Sequence, residues 1–510
     1  MKLGKGFYKR VYDLRYGFLA FTLPFIVRLI PEVIAWPYPL GFDPLGYYIP
    51  AMRWWINPFS GQSLPVDAFG LLRTAGLFYV LAAVFNRYLI PDPFIAVKLL
   101  GPILTGSVSL SAYSYGRLAL GWGSRKAVFA SLIATLYFVG LRISWELYRN
   151  MLGVIFLFAA VTALEVISGV RRYLLVGAFT LLTFMSHQVT AVILLGVLLL
   201  RSLWFCARGR WEEGKVNLYF SAIAGGLFLY QLSVPQIGRY VAITGFQSSL
   251  ETTTYVLGFP LYCFIFLLPL AIPAVRLDRG ISINCWTLVC SLLLVPVLVG
   301  GTTSIPLWFR WSLMLVYPLS FYFADGFEGA MRFKRWRSPQ RLAVKVSAIC
   351  LLALIAFTSG QYLLSYPEHP FPYFSQYNPY LRYIESSMLQ NSISIQEVPS
   401  LLSAIDAVFP LLVDGTVLVV HEAVYVWAVN RLEPRIRIIP VKEPGYVSVN
   451  PESAGKAIEQ IAYLNFDSGY RVYTIWWTTR SGWYTMPQLP ETFKLLKSTG
   501  TFGVYLFNPV

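Results

Sequence analysis

The chain has 510 residues, 56% of them hydrophobic, with a mean hydropathy of +0.58 and a formal net charge of +16. Apolar runs this long and numerous exclude an ordinary soluble enzyme, because a bilayer crossing takes about 20 apolar residues over about 30 Å of hydrocarbon. The basic balance does not signal nucleic acid: most Lys and Arg sit in short loops between apolar runs, as in the cytoplasmic loops of polytopic helical membrane proteins.

Residues 1–15 carry Lys2, Lys5, Lys9, Arg10 and Arg15 and are expected to stay in the cytoplasm. A first span is expected over about 16–35, with Arg28, Pro31 and Glu32 inside it; charges there should face the bundle interior. An aromatic and proline-rich first outer loop follows, 36–94, in which 69–90 reads as a juxtamembrane or re-entrant helix, with a pair of short crossings as the alternative. Further spans fit at about 95–118, 126–141, 150–168, 172–186, 188–206, 216–234, 255–275, 283–300, 307–325 and 341–363, giving about eleven crossings. Alternate loops hold Arg117, Arg125 and Lys126, then Arg171 and Arg172, then Arg208, Arg210 and Lys215, then Arg276 and Arg279, then Arg332, Lys334, Arg335, Arg337 and Arg341. The intervening loops hold only Arg142, Arg149, Arg239 and Arg310. That asymmetry puts the N-terminus inside and the C-terminus outside, in a multi-pass protein of the cell membrane.

Residues 364–510 differ in character. Pro367, Pro370 and Pro372 open a linker, and strands are expected at 413–420, 435–441, 472–477 and 504–507, with a helix over 451–465. These form a small extracytoplasmic α/β domain, set apart from a transmembrane module over 1–363. All five cysteines precede residue 364 and lie in apolar segments, so the domain has no disulfide framework to draw on.

Ionisable groups near the membrane surface are candidates for chemistry, since burial there needs a reason. Asp43 precedes Pro44, which disfavours helix at residue 43, so the carboxylate is expected at the end of a span, as general base or metal ligand. Glu146, in Ser144-Trp145-Glu146-Leu147-Tyr148-Arg149-Asn150, is either a second carboxylate sharing a divalent cation, Mg or Mn, with Asp43, or an ion-pair partner of Arg149 or Arg142. Asn150 reads as a helix cap. His187 sits at a helix break, suited either to a phosphate or to a backbone contact. Arg310, framed by Trp308, Phe309 and Trp311, suits a lipid phosphate or snorkels to the interface; Arg53 beside Trp54 is a second phosphate contact. Glu251 reads as solvated loop. In the C-terminal domain Trp476-Trp477 and Trp483-Tyr484 present either a stacking platform for sugar or core, and His421-Glu422 shows no metal-ligand spacing. No Walker-type phosphate loop is present, nor a cytoplasmic domain to hold a nucleotide sugar.

This layout resembles the GT-C superfamily of integral membrane glycosyltransferases, including the oligosaccharyltransferase catalytic subunit and protein O-mannosyltransferase-like enzymes. The resemblance covers about 1–363. It rests on Asp43-Pro44 followed by Tyr47-Tyr48 and Arg53, on Trp145 to Asn150 followed by Gly153, and on Arg310 followed by Pro318 and Gly326. It implies Asp43 as catalytic residue or metal ligand, Glu146 in support, and Arg310, His187, Arg53 and Tyr47 as substrate-binding residues. The implied donor is a polyprenyl- or dolichyl-phosphate sugar, and the acceptor a glycan, lipid or protein. The Trp-Trp-Asp-Tyr-Gly signature is absent; Trp476-Trp477-Thr478 lacks the acid, which argues against transfer to asparagine. The rival readings are a flippase or transporter for a lipid-linked glycan and a non-catalytic membrane scaffold.

Overall fold

The computed structural model describes residues 3–56, 62–233, 249–276, 280–301, 307–332, 338–375, 377–381, 383–432, 435–441, 451–479, 486 and 488–509. Lys2, Arg239, Arg279, Lys334, Arg335, Arg337, Trp483 and Tyr484 lie outside them. The chain is a multi-pass membrane protein with a small C-terminal sheet. It divides into two compact units: residues 1–30, 65–81 and 99–363, and residues 31–64, 82–98 and 364–510. Most of the first long loop therefore belongs with the C-terminal sheet.

In chain order the helices of the first 232 residues are α1 (Leu3–Ile34), α2 (Ile49–Trp54), α3 (Ala68–Thr74), α4 (Leu77–Tyr88), α5 (Pro93–Leu118), α6 (Ser124–Leu136), α7 (Phe138–Glu146), α8 (Tyr148–Val166), α9 (Val170–Ser186), α10 (Gln188–Ala207) and α11 (Trp211–Leu232). There follow α12 (Leu250–Phe264), α13 (Leu268–Ala271), α14 (Ile281–Leu292), α15 (Val295–Gly300), α16 (Phe309–Leu313), α17 (Val316–Arg332) and α18 (Ser338–Leu364). Each of the eleven expected crossings carries a helix or a helix pair. Among the described residues six helices are by themselves long and apolar enough to cross, or up to nine if each of three bent pairs is one span. α3 and α4 are one such pair, meeting at 115°. Glu251 lies exposed in the first turn of α12, capped by Ser249, rather than in a loop.

In the first unit α8 packs on α9 and α10, and α10 on α11 and α14. One close approach there requires glycine: a Cβ on Gly153 would come within 2.1 Å of Thr190 Oγ1, so the α8 backbone lies directly against the Thr190 side chain of α10. Farther along the same helices the buried Arg201 bonds Glu165 at 2.7 Å, Ser282 Oγ at 2.5 Å and Asn217 Oδ1 at 3.1 Å, tying α8, α10, α11 and α14 together. A charge within hydrocarbon is tolerated when paired in this way.

The second unit is built on a five-stranded sheet: β1 (Thr416–His421), β2 (Ile438–Val441), β3 (Arg471–Trp477), β4 (Phe493–Ser498) and β5 (Phe502–Phe507), in the order β2-β1-β3-β5-β4. β1 runs parallel to β2 and β3, while β5 is antiparallel to β3 and β4. The interior strand β1 is buried from Val417 through His421, as expected where helices cover both faces of parallel strands. Helices α19 (Val398–Val408), α20 (Glu422–Arg431) and α21 (Pro451–Asp467) complete the layers. β4, an edge strand exposed over most of its length, carries Lys494 and Lys497, charges that discourage pairing with another chain. Trp476 and Trp477 are both buried in β3 and serve as core rather than as a platform for sugar.

Candidate functional site

Three donor-bearing side chains gather in the first unit, each at a break between helices. α7 stops at Leu147 (φ −87°, ψ 53°), which places Arg149 in the first turn of α8. α9 and α10 are separated by one extended residue, His187 (φ −161°, ψ 136°). Its Nδ1 accepts from the backbone N–H of Val189 at 3.1 Å and so caps α10. With Nδ1 spent as acceptor, the neutral ring carries its proton on Nε2, which remains a donor. Arg310 is the second residue of the short helix α16, which packs on α7. Both the Arg149 and the Arg310 guanidinium act electrostatically on His187. The Nε–H of Arg310 is shielded from solvent and has no hydrogen-bond partner among the described residues; a buried donor left unmade costs about 1–3 kcal/mol. Gly153 follows Arg149 by one helical turn and Thr190 lies three residues beyond His187, so the tight α8–α10 contact sets how closely these two side chains can approach.

Arg149 is also anchored. Its Nη2 donates to the carbonyls of Thr74 at 3.2 Å and Ala75 at 2.8 Å, and the group stacks 5.1 Å from the Tyr79 ring centroid. It thus fastens α8 to the α3–α4 elbow. Arg28, fully buried in α1, donates from Nε to Ser144 O at 3.2 Å and from Nη2 to Trp145 O and Tyr148 Oη, both at 3.3 Å. It satisfies carbonyls that the end of α7 leaves open.

Glu146 faces Arg142: Oε1 lies 3.0 Å from Nη1, one turn away, and both side chains are largely buried. Of the two ion-pair partners considered, the structure selects Arg142. This donor set does not fit a divalent ion, since the carboxylate is already neutralised by a guanidinium that itself stacks on Trp145. Among the described residues no group of three or more His, Cys, Asp or Glu is placed to hold a metal. Asn150 does not cap α8; the residue in that position is Leu147, and Asn150 is buried in the first turn.

In the second unit Asp43, Tyr47 and Arg53 share one helical stretch, 42–54. The expectation that Asp43 terminates a span is corrected. α1 ends at Ile34, and Asp43, with φ −58° and ψ −40°, begins a new helix. Pro44 is its first residue, where the missing N–H has no intrahelical partner to lose. The turn into it uses Gly41 at φ 82°, whose N–H donates to Gln390 O at 2.9 Å, while Asn391 Nδ2 donates to Pro39 O at 3.4 Å. These ties fix the chain direction and override the preference against helix before proline. The half-buried Asp43 carboxylate makes no cap bond to its own helix. Tyr47 meets Phe42 edge-on at 6.2 Å. Arg53 donates to the Asn430 carbonyl and lies 5.4 Å from the Phe94 ring centroid. His421 caps α20 through Nδ1 at 3.1 Å from Ala423 N, and its burial lowers its pKa to about 4.

Sequence reasoning missed the grip of Arg149 on the α3–α4 elbow and the carbonyl-capping work of Arg28. The signal for the first is an arginine two residues past a helix break and before an apolar run.

No protein-family model matches the chain, and no curated protein matches it in sequence. Among solved structures it is similar to ArnT from Cupriavidus metallidurans. Against the apo crystal structure the identity is 10% and the TM-score 0.55, covering 96% of this chain and 97% of that one. Against the crystal structure bound to undecaprenyl phosphate they are 11% and 0.48, over 99% and 98%. The chain thus shares the fold of that apo structure.

Proposed function

We propose that this chain is a membrane glycosyltransferase that takes a sugar from a polyprenyl-phosphate-linked donor and passes it to a hydroxyl of a glycan, lipid or protein at the extracytoplasmic face. The observation that carries the reading is the Arg310 Nε–H, shielded from water and without a partner among the described residues, in a unit where Arg149 and Arg310 both act on the His187 ring. Arg149 is held by the carbonyls of Thr74 and Ala75 and His187 by its cap on α10, so the spare donor of Arg310 is the one an anion would meet. A phosphate meets the charge and accepts bidentate bonds. The fold supports the same reaction class.

The chemistry follows from what these groups do as charge moves. The acceptor oxygen forms a bond to the anomeric carbon as the bond from that carbon to the donor phosphate breaks. The acceptor proton passes to the Asp43 carboxylate, acting as general base, and the polyprenyl phosphate departs with the bonding electron pair. Negative charge on the phosphate grows along this path, so fixed cations stabilise the transition state more than the bound donor. Arg310 and Arg149 supply that field, and His187 donates through Nε2. Glu146 holds Arg142 and bears no step. Tyr47 and Arg53 lie on the same helical stretch as Asp43.

Binding of undecaprenyl phosphate by the purified chain in detergent tests the reading. Arg310→Ala is expected to weaken it at least tenfold while Asp43→Asn leaves it intact and abolishes transfer. Equal affinity in wild type and Arg310→Ala overturns the assignment.

A further inference from the structure

The helix bearing Asp43 is irregular in a way that exposes a need. Residues Pro44–Tyr48 form a π-helical turn, in which the Ile49 N–H bonds Pro44 O. The next carbonyl, Leu45 O, would take its π-type donor from residue 50, and residue 50 is proline. The missing bond is supplied from far along the chain: Asn430 Nδ2 donates to Leu45 O at 2.6 Å and to Val426 O, in its own helix, at 2.7 Å. The Asn430 carbonyl in turn accepts from Arg53, at the other end of the same stretch.

Asn430 belongs to one face of α20, with Val426 and Trp427. Trp427 meets Tyr38 edge-on at 5.9 Å and Phe94 at 6.3 Å, so residues on both sides of the Asp43 stretch grip it. The Val426 Cγ1 lies 3.2 Å from where a Cβ on Gly46 would stand. A π turn is a strained and functionally biased element that needs its surroundings to hold it.

We propose that Asn430 is a positioning residue for Asp43: by giving Leu45 O the hydrogen bond that Pro50 withholds, it fixes the turn on which the general base stands. The C-terminal sheet unit is then the mount of the reacting carboxylate rather than only an accessory for acceptor binding. This rests on the proposed role of Asp43, but the bond itself can be tested apart from it.

The full-length chain in detergent is compared by hydrogen–deuterium exchange in three forms: wild type, Asn430→Leu and Asn430→Asp. Both variants keep the shape of the side chain and remove the Nδ2 donor. Exchange in peptides covering 42–54 is expected to rise at least fivefold in both, with β1 and β3 unchanged. Asp406→Ala, which breaks the exposed Asp406–Arg431 pair beside Asn430, is expected to leave 42–54 unchanged. No change at 42–54 in either variant overturns the proposal. So does an equal rise over β1 and β3, because Asn430 would then hold the domain rather than the turn. In a transfer assay Asn430→Leu is expected to lower kcat at least tenfold with the donor KM unchanged; a change in KM alone overturns the positioning role. Undecaprenyl phosphate binding, which reads Arg310, fails or holds independently of these results.

Discussion

The cationic group of the first unit and the Asp43 stretch of the second are built in opposite ways. Arg149, His187 and Arg310 each stand at a local break in a packed helical run, one extended residue or one short helix, and neighbouring helices set their spacing. Asp43 stands on a turn that its own sequence leaves a bond short, and the residue that completes it is 385 positions away. The proposed binding groups are carried by local interruptions of rigid elements, whereas the turn under the carboxylate depends on a distant partner. Loss of single residues should therefore damage binding locally and catalysis at a distance.

The sharpest test of that contrast is Asp43→Asn, expected to lower kcat by about 10³-fold or more, about 4 kcal/mol, without changing undecaprenyl phosphate affinity. Next comes Arg142→Ala, which leaves the buried Glu146 carboxylate uncompensated. It should cost about 3 kcal/mol of stability, read as a lower Tm in detergent, whereas chelation by EDTA should leave transfer unaltered. Of similar size is a pH effect confined to the second unit. His421 has a folded-state pKa of about 4, below the ordinary 6.5 of the unfolded chain. The unfolded chain therefore takes the proton first, so this stability is fully present above pH 6.5 and is lost as pH falls toward 4. The span corresponds to about 3 kcal/mol; His421→Gln should flatten that part of the Tm–pH curve. Arg310→Ala should cost about 1.5–3 kcal/mol of lipid-phosphate affinity, measured by titration. At the small end, Asp406→Ala should shift stability by less than about 0.5 kcal/mol, because its ion pair with Arg431 is half exposed.

Much of the helical frame was legible because apolar length is a strong signal: every expected crossing carries a helix or a helix pair. The C-terminal domain was legible in part. β1, β3 and β5 show as apolar runs, but β4, Phe493–Ser498, buries only its first residue and carries two lysines, so no alternation marks it. Asp43 could be singled out from Asp-Pro, yet the direction of its helix could not, because Gly41 is turned by Gln390 and Asn391 from the far end of the chain. The Glu146–Arg142 pair was visible as a one-turn spacing. The contacts of Arg149 were not, since the carbonyls of Thr74 and Ala75 have no signature in side-chain identity.

The interleaving of the second unit has a consequence for biogenesis. Its pieces come from 31–64, 82–98 and everything after 363, so the segment carrying Asp43 leaves the ribosome long before α20 exists. Until that helix arrives, Leu45 O lacks the donor of Asn430 and the Tyr38 and Phe94 rings lack Trp427, and closure must wait for contacts of very high sequence separation. A nascent or truncated chain would thus already hold its membrane helices and its cationic group while its carboxylate was still unmounted. On the proposed function, transfer would then wait until α20 has been made.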